Sequence, residues 1–157
     1  MSDFEISEST VEEELLRHGT YASLTSGTSM QPLFKTHRDM VVLTKVDREL
    51  KKYDVVLYHK GERKNILHRI IGKKGDLYVI RGDNTFRREY VKKEEILAVL
   101  VSFNRKGKSY KVTDKGYVIY SRVWNFIYPV RALLHAVRHL LYSAYRAVFK
   151  KNKNKKS

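Results

Sequence analysis

The sequence predicts a mainly β protein: a compact antiparallel β domain with a short N-terminal helix and C-terminal amphipathic helices. Three observations lead there. A capping box opens the first periodic segment, short β-branched runs alternate with turn residues from Met40 to Phe103, and beyond Tyr117 the apolar spacing becomes helical. These divide the chain into an acidic helical start (1–20), a β domain (21–113), a basic amphipathic region (114–150) and a Lys-rich tail (151–157) expected to be disordered.

Thr10-Val11-Glu12-Glu13 has the capping-box pattern, with Thr10 as N-cap and Glu13 reaching back to it. Val11, Leu15 and Leu16 give that helix a narrow apolar face, and Gly19 suits its C-terminal cap. Tyr21 to Leu24 is expected to be a strand. The runs Asp39–Thr44, Tyr53–Tyr58, Asn65–Ile71, Leu77–Ile80 and Glu95–Phe103 follow as strands. Gly72–Asp76 marks a hairpin, and Lys106-Gly107-Lys108 turns the last long strand toward Tyr110–Val112. Pro129 breaks the aromatic stretch Tyr117–Tyr128 or starts a new helix. After it, Val130, Leu133, Leu134, Val137, Leu141, Ala144, Tyr145 and Val148 recur at helical spacing, with Arg131, His135, Arg138 and Arg146 opposite.

The 157 residues suffice for one domain with appendages. Without cysteine, no disulfide, thiol nucleophile or thiolate metal site can form. The formal charge of +15 points to an anionic partner, and it is concentrated near the C-terminus: after Phe103 only Asp114 opposes the Lys and Arg residues. No secretory signal and no apolar run of spanning length is visible, so the expectation is a cytoplasmic protein or one bound peripherally to the inner face of a membrane. His135 and His139 are four apart, but Arg131 and Arg138 beside them would repel a cation, and no Gly-rich phosphate loop is present. Neither a metal nor a cofactor is expected. Too few residues precede Gly19 for a helix-turn-helix domain, so no specific nucleic-acid binding is expected.

Three short segments carry candidate chemistry. Ser26-Gly27-Thr28-Ser29-Met30-Gln31-Pro32-Leu33 presents a serine at a small-residue turn, and a serine becomes a nucleophile when a positioned base takes its proton. His68 lies in a strand whose period-two alternation sets Ile66, His68 and Ile70 on one face and Leu67, Arg69 and Ile71 on the other. Its ordinary pKa suits a general base. Asp83, in Arg81-Gly82-Asp83-Asn84, is a carboxylate that could orient the imidazole, and Glu89 is a second acid candidate. Each segment by itself is equally ordinary turn or core chemistry.

Together these segments resemble the signal peptidase I family and its relatives, the self-cleaving SOS repressor proteases. The resemblance runs from about Leu24 to Phe103. Ser26–Leu33 is similar to the family's nucleophile box, Arg38-Asp39-Met40-Val41-Val42 to the strand opening after it, and Lys52–Tyr58 to the Gly-Asp-Ile-Val strand, with Tyr53 in place of the glycine. Arg81–Asn84 is similar to the Gly-Asp-Asn box, with Thr85 where a second asparagine is usual. His68 stands where most bacterial members carry a lysine base, which resembles the serine–histidine type found in the endoplasmic reticulum and archaea. The resemblance implies a serine endopeptidase cleaving a leader or signal-like peptide. Ser29 would be nucleophile, His68 base, Asp83 its orienting acid with Glu89 in reserve, and Thr28 a possible oxyanion support. It also implies a peptide or protein substrate bound as an extended strand, with small side chains flanking the cut. The competing expectation is a non-catalytic peptide-binding β module held at an anionic membrane surface by residues 117–150.

Overall fold

The computed structural model describes residues 10–61 and 65–153, with the side chains of 144 and 147–153 excepted. The capping box forms as the sequence predicts. Thr10 Oγ1 accepts the Glu13 N–H, the Glu13 carboxylate accepts the Thr10 N–H, and helix α1 (Val11–His18) ends at Gly19 with φ 68°. Leu15 is buried, and Glu12 reaches His59 Nε2 at 2.6 Å, tying the helix to the sheet.

Strands β1 (Thr20–Leu24), β2 (Met40–Lys45), β3 (Val55–His59), β4 (Asn65–Lys74), β5 (Leu77–Arg81), β6 (Glu89–Val91), β7 (Ile96–Arg105) and β8 (Lys108–Lys111) form one antiparallel sheet among the described residues. Its order is β1-β2-β7-β3-β4-β5-β6, with β8 also on β7. The β4–β5 hairpin turns on Gly75-Asp76 alone, because Lys74 pairs with Leu77, so Gly72–Lys74 is strand rather than turn. A register shift between Ile70 and Gly72 precedes it. Lys106 and Gly107 both have positive φ, as a two-residue hairpin linking right-twisted strands requires.

The sheet is covered on both faces, which is why Val55, Val56, Leu57 and Tyr58 of β3 are buried in succession. One core gathers Leu15, Met30, Phe34, Leu43, Leu57, Leu100 and Phe103, the other Val56, Tyr58, Ile70, Tyr78, Ile80 and Val99.

Helices α2 (Lys115–Phe126) and α3 (Tyr128–Lys153) follow, and Pro129 falls in the first turn of α3, where its missing N–H costs no bond. The chain divides into two compact units, one through Arg122 and one from Val123, so the boundary lies inside α2. Tyr117 and Ser121 of α2 are buried in the first unit. Helix α3 runs on to Lys153, past the Lys150 at which the sequence reading ends it, consistent with the good helix propensity of lysine. The last four residues of the expected tail lie outside the described residues. In the second unit Arg131 stacks over Trp124, 3.7 Å from the ring centroid. No helix among the described residues is long and apolar enough to cross a membrane.

Candidate active site

The segment between β1 and β2 is tied down at both ends, and this sets where Ser29 stands. The Thr25 N–H donates to the Asp39 carbonyl (2.9 Å), and the Thr25 hydroxyl lies 2.9 and 3.0 Å from the Lys35 and Asp39 carbonyls. Asp39 is fully buried and accepts the Lys35 N–H and two N–H groups of Arg38. Burial alone would push its carboxyl up, but those donors and the Arg38 charge outweigh burial and hold it below the ordinary carboxylate range. The Thr36 hydroxyl donates to the Gly27 carbonyl, and Gly27 has φ 77°, a conformation glycine adopts without strain. Met30, Leu33 and Phe34 anchor the segment in the core. Ser29 is left half-buried in a loop held by these hydrogen bonds.

Gly82, one residue past β5, is the junction of the site. A β-carbon there would stand 2.6 Å from the Ser29 carbonyl oxygen and 2.9 Å from His68 Nε2. The Ser29 carbonyl and the Nε2 edge of the imidazole therefore flank the same point, separated by no more than the sum of those two distances. The next residues clamp the loop: the Asn84 N–H donates to the Ser29 carbonyl (2.7 Å), and Asn84 Nδ2 donates to the Thr28 carbonyl (3.2 Å). The three segments singled out in the sequence thus meet, with glycine required at Gly82 because no β-carbon fits.

The two acid candidates part company here. Asp83 does not supply the nearest acid to His68. Its carboxylate takes a paired contact from Arg69, with Nε on Oδ1 and Nη2 on Oδ2, both 2.8 Å, and accepts the Tyr120 hydroxyl at 3.0 Å. Arg69 also donates to the Tyr53 carbonyl, the Tyr117 hydroxyl and Ser121 Oγ. The physical reason is the strand period: His68 and Arg69 are adjacent and face opposite ways, and Asp83 lies on the Arg69 side. His68 Nδ1 instead faces the Tyr58 hydroxyl (3.2 Å) and Glu89 Oε1 (3.7 Å), while Glu89 Oε2 holds Lys60 Nζ at 2.5 Å. Tyr58 and Lys60 are members of this cluster that the sequence reading does not assign to His68. Period two from Val56, which pairs with His68, places Tyr58 on the face of His68.

Burial pushes the His68 imidazole below its ordinary pKa, Lys60 pushes the same way, and Glu89 and Asp83 oppose. Burial pushes Glu89 up, but the Lys60 hydrogen bond and charge, with Tyr58 and His68, hold it below its ordinary value. At neutral pH the site therefore carries a neutral imidazole beside an ionised carboxylate.

Ser29 and His68 both border a cavity of about 660 Å³. Thr28, Ser29 and Asn84 line it beside Tyr21 and Ser23 of β1, with Asn65–His68 of β4 also in the wall. Met30, Phe34, Val41, Leu43 and Leu57 contribute apolar lining. Thr28 thus borders the same space as Ser29. Among the described residues no group of three or more His, Asp or Glu side chains gathers as metal ligands would. No family model, curated protein or solved structure matches the chain.

Proposed function

We propose that the chain is a serine endopeptidase of the signal peptidase I type, with Ser29 as nucleophile and His68 as general base. The observation that carries this is the meeting at Gly82, where the backbone of Ser29 and Nε2 of a buried, neutral histidine flank one point beside a cavity. His68 Nε2 takes the Ser29 hydroxyl proton as Oγ attacks the scissile carbonyl, then delivers it to the leaving amine. Water hydrolyses the acyl-enzyme by the same route in reverse. The Ser29 N–H and the Thr28 hydroxyl serve the developing oxyanion. The backbone at Tyr53 supports the family assignment. Its φ of 82° suits the glycine that the family carries there.

The substrate is an extended peptide. β1 ends the strand order and pairs with β2, so its outer edge can accept an added strand, and Tyr21 and Ser23 border the cavity beside it. The apolar lining takes the side chains that point inward.

A serine-directed acylating probe with adduct mapping tests this without a known substrate. The wild type should be acylated at Ser29, at a rate that rises with pH through a midpoint below about 6.5, since burial lowers the His68 pKa. Ser29→Ala should lose the adduct, and His68→Ala should slow it by about 10² or more. A folded wild type that never reacts would overturn the proposal in favour of a non-catalytic peptide-binding module.

The second unit supports a membrane-surface location for this activity. Leu133, Leu134, Val137, Leu140 and Leu141 of α3 are exposed, and no acidic residue occurs after Asp114. An anionic bilayer matches both properties, burying the apolar side while each nearby Lys or Arg adds up to about 1 kcal/mol. The full-length protein should float with anionic vesicles in low salt, and Leu134→Asp with Leu141→Asp should abolish flotation. No flotation of the wild type would exclude this location.

A further inference from the structure

The candidate site leaves one buried group with a decisive position and no role. Tyr58 is 1 % exposed, and its hydroxyl faces the candidate base. It is 3.2 Å from His68 Nδ1, the nitrogen that Glu89 Oε1 also approaches, and the Glu89 charge acts on the phenol while Glu89 Oε2 holds Lys60. Glu89 Oε1 itself stops 3.7 Å from Nδ1, beyond good hydrogen-bonding distance.

A phenol has one proton to donate and lone pairs with which to accept, whereas an ionised carboxylate only accepts. Glu89, paired with Lys60, is the stronger acceptor, so the phenol proton goes to Glu89. The Tyr58 oxygen then has only acceptor capacity left for His68, and Nδ1 must carry the proton it receives. That leaves Nε2 as the bare nitrogen, and Nε2 is the edge that meets Ser29 across Gly82. In the reverse arrangement Tyr58 would donate to Nδ1. His68 would then present an Nε2–H to Ser29 and could not take a proton from it.

We propose that Tyr58 is a positioning residue that passes the orienting role of Glu89 to His68, fixing the Nδ1–H tautomer. The proposal rests on the reading of Ser29 and His68 as nucleophile and base. It gives Tyr58 and Glu89 jointly the place that a single aspartate holds in a serine–histidine–aspartate triad. Burial and the Glu89 charge keep the phenol protonated, as the relay requires. The charged groups acting on His68 are Glu89 from β6, Lys60 after β3 and Asp83 after β5, the last already paired with Arg69. Glu89 and Lys60 act on the imidazole with opposite signs, which makes the arrangement testable by direction as well as size.

The test uses the full-length protein labelled with ¹⁵N at histidine. Long-range ¹H–¹⁵N spectra near pH 7.5 report the His68 tautomer directly, independently of any activity. The wild type should show protonated Nδ1 and bare Nε2, and Tyr58→Phe and Glu89→Gln should each lose that preference. In the acylation assay Tyr58→Phe should lower the high-pH plateau by about tenfold or more without weakening probe binding. Glu89→Gln should move the acid limb to lower pH, and Lys60→Gln should move it to higher pH. If Tyr58→Phe does not fold, Glu89→Gln, at the half-buried end of the relay, carries the same tautomer test. An Nε2–H tautomer in the wild type, or variants that keep both tautomer and pH profile, would overturn the relay. An Nδ1–H tautomer in a protein never acylated at Ser29 would instead retain the relay and remove the peptidase reading.

Discussion

His68 and Arg69 are neighbours on β4, both buried and both close to a carboxylate, yet the two surroundings differ in kind. Arg69 is 0 % exposed, and Asp83, the Tyr53 carbonyl, Tyr117 and Ser121 surround its guanidinium with acceptors. Burial disfavours the charge, but Asp83 more than compensates and pushes the guanidinium pKa further up, so the guanidinium stays charged. His68 has a phenol at 3.2 Å, a carboxylate at 3.7 Å and a cavity at its edge, and burial holds its pKa down. One side of the strand fixes a position and the other leaves a proton free to move. The proposed catalysis needs both, because a mobile proton is useful only where the reacting groups are held in place.

The largest effect should come from opening the Arg69 side. Arg69→Met leaves Asp83 buried without its guanidinium partner, and breaking a buried pair this way costs about 3–5 kcal/mol. Chemical denaturation should show that loss, and adding Asp83→Leu to the same chain should restore part of it by removing the stranded charge. A loss below about 1 kcal/mol for Arg69→Met would mean that the pair does not hold the fold at this point. The β domain would then extend into α2 for some other reason.

Gly82→Ala probes the junction itself. Its new β-carbon would stand 2.6 Å from a backbone oxygen and 2.9 Å from the imidazole, so Ser29 and His68 must separate to admit it. A displacement approaching 1 Å between reacting groups costs about 10² in rate. Acylation of Ser29 should fall by that factor while the protein remains folded. An unchanged rate would show that the two residues do not work as a pair.

The same contrast explains which parts were legible in sequence. Thr10 and Glu13 declare their helix start within four residues, and the strand runs declare themselves by β-branched composition, because those signals are local. The meeting of Ser29, His68 and Gly82 was legible only as a set of motifs in order. Which carboxylate faces His68 was not. Asp83 sits beside Gly82 in the chain, which makes it the natural first choice. The alternation that places Arg69 opposite His68 was nonetheless visible, and a buried arginine needs a carboxylate on its own face. Glu89 reaches the His68 side because β6 pairs with β5, setting Glu89 opposite Ile80, a long-range register that no local pattern carries. Tyr117 and Ser121 were readable as helix residues, but not as acceptors for Arg69, for the same reason.

The smallest effect gives the sharpest separation, because the same atom can be removed on either side. The Tyr120 hydroxyl donates to Asp83 at 3.0 Å, and the Tyr58 hydroxyl stands 3.2 Å from His68 Nδ1. Tyr120→Phe should cost about 1.5–3 kcal/mol of stability, the scale of a hydrogen bond to a charged group. It should leave the acid limb of Ser29 acylation in place, since Asp83 keeps both Arg69 contacts. Tyr58→Phe should differ in changing the acylation profile through the His68 tautomer. In the double variant the two should add, as changes without shared partners do. A shift of the acid limb in Tyr120→Phe as large as that in Tyr58→Phe would break the comparison. Asp83 would then be acting on the imidazole through Arg69's neighbourhood after all, and the two faces of β4 would form one electrostatic unit rather than a fixed side and a working side.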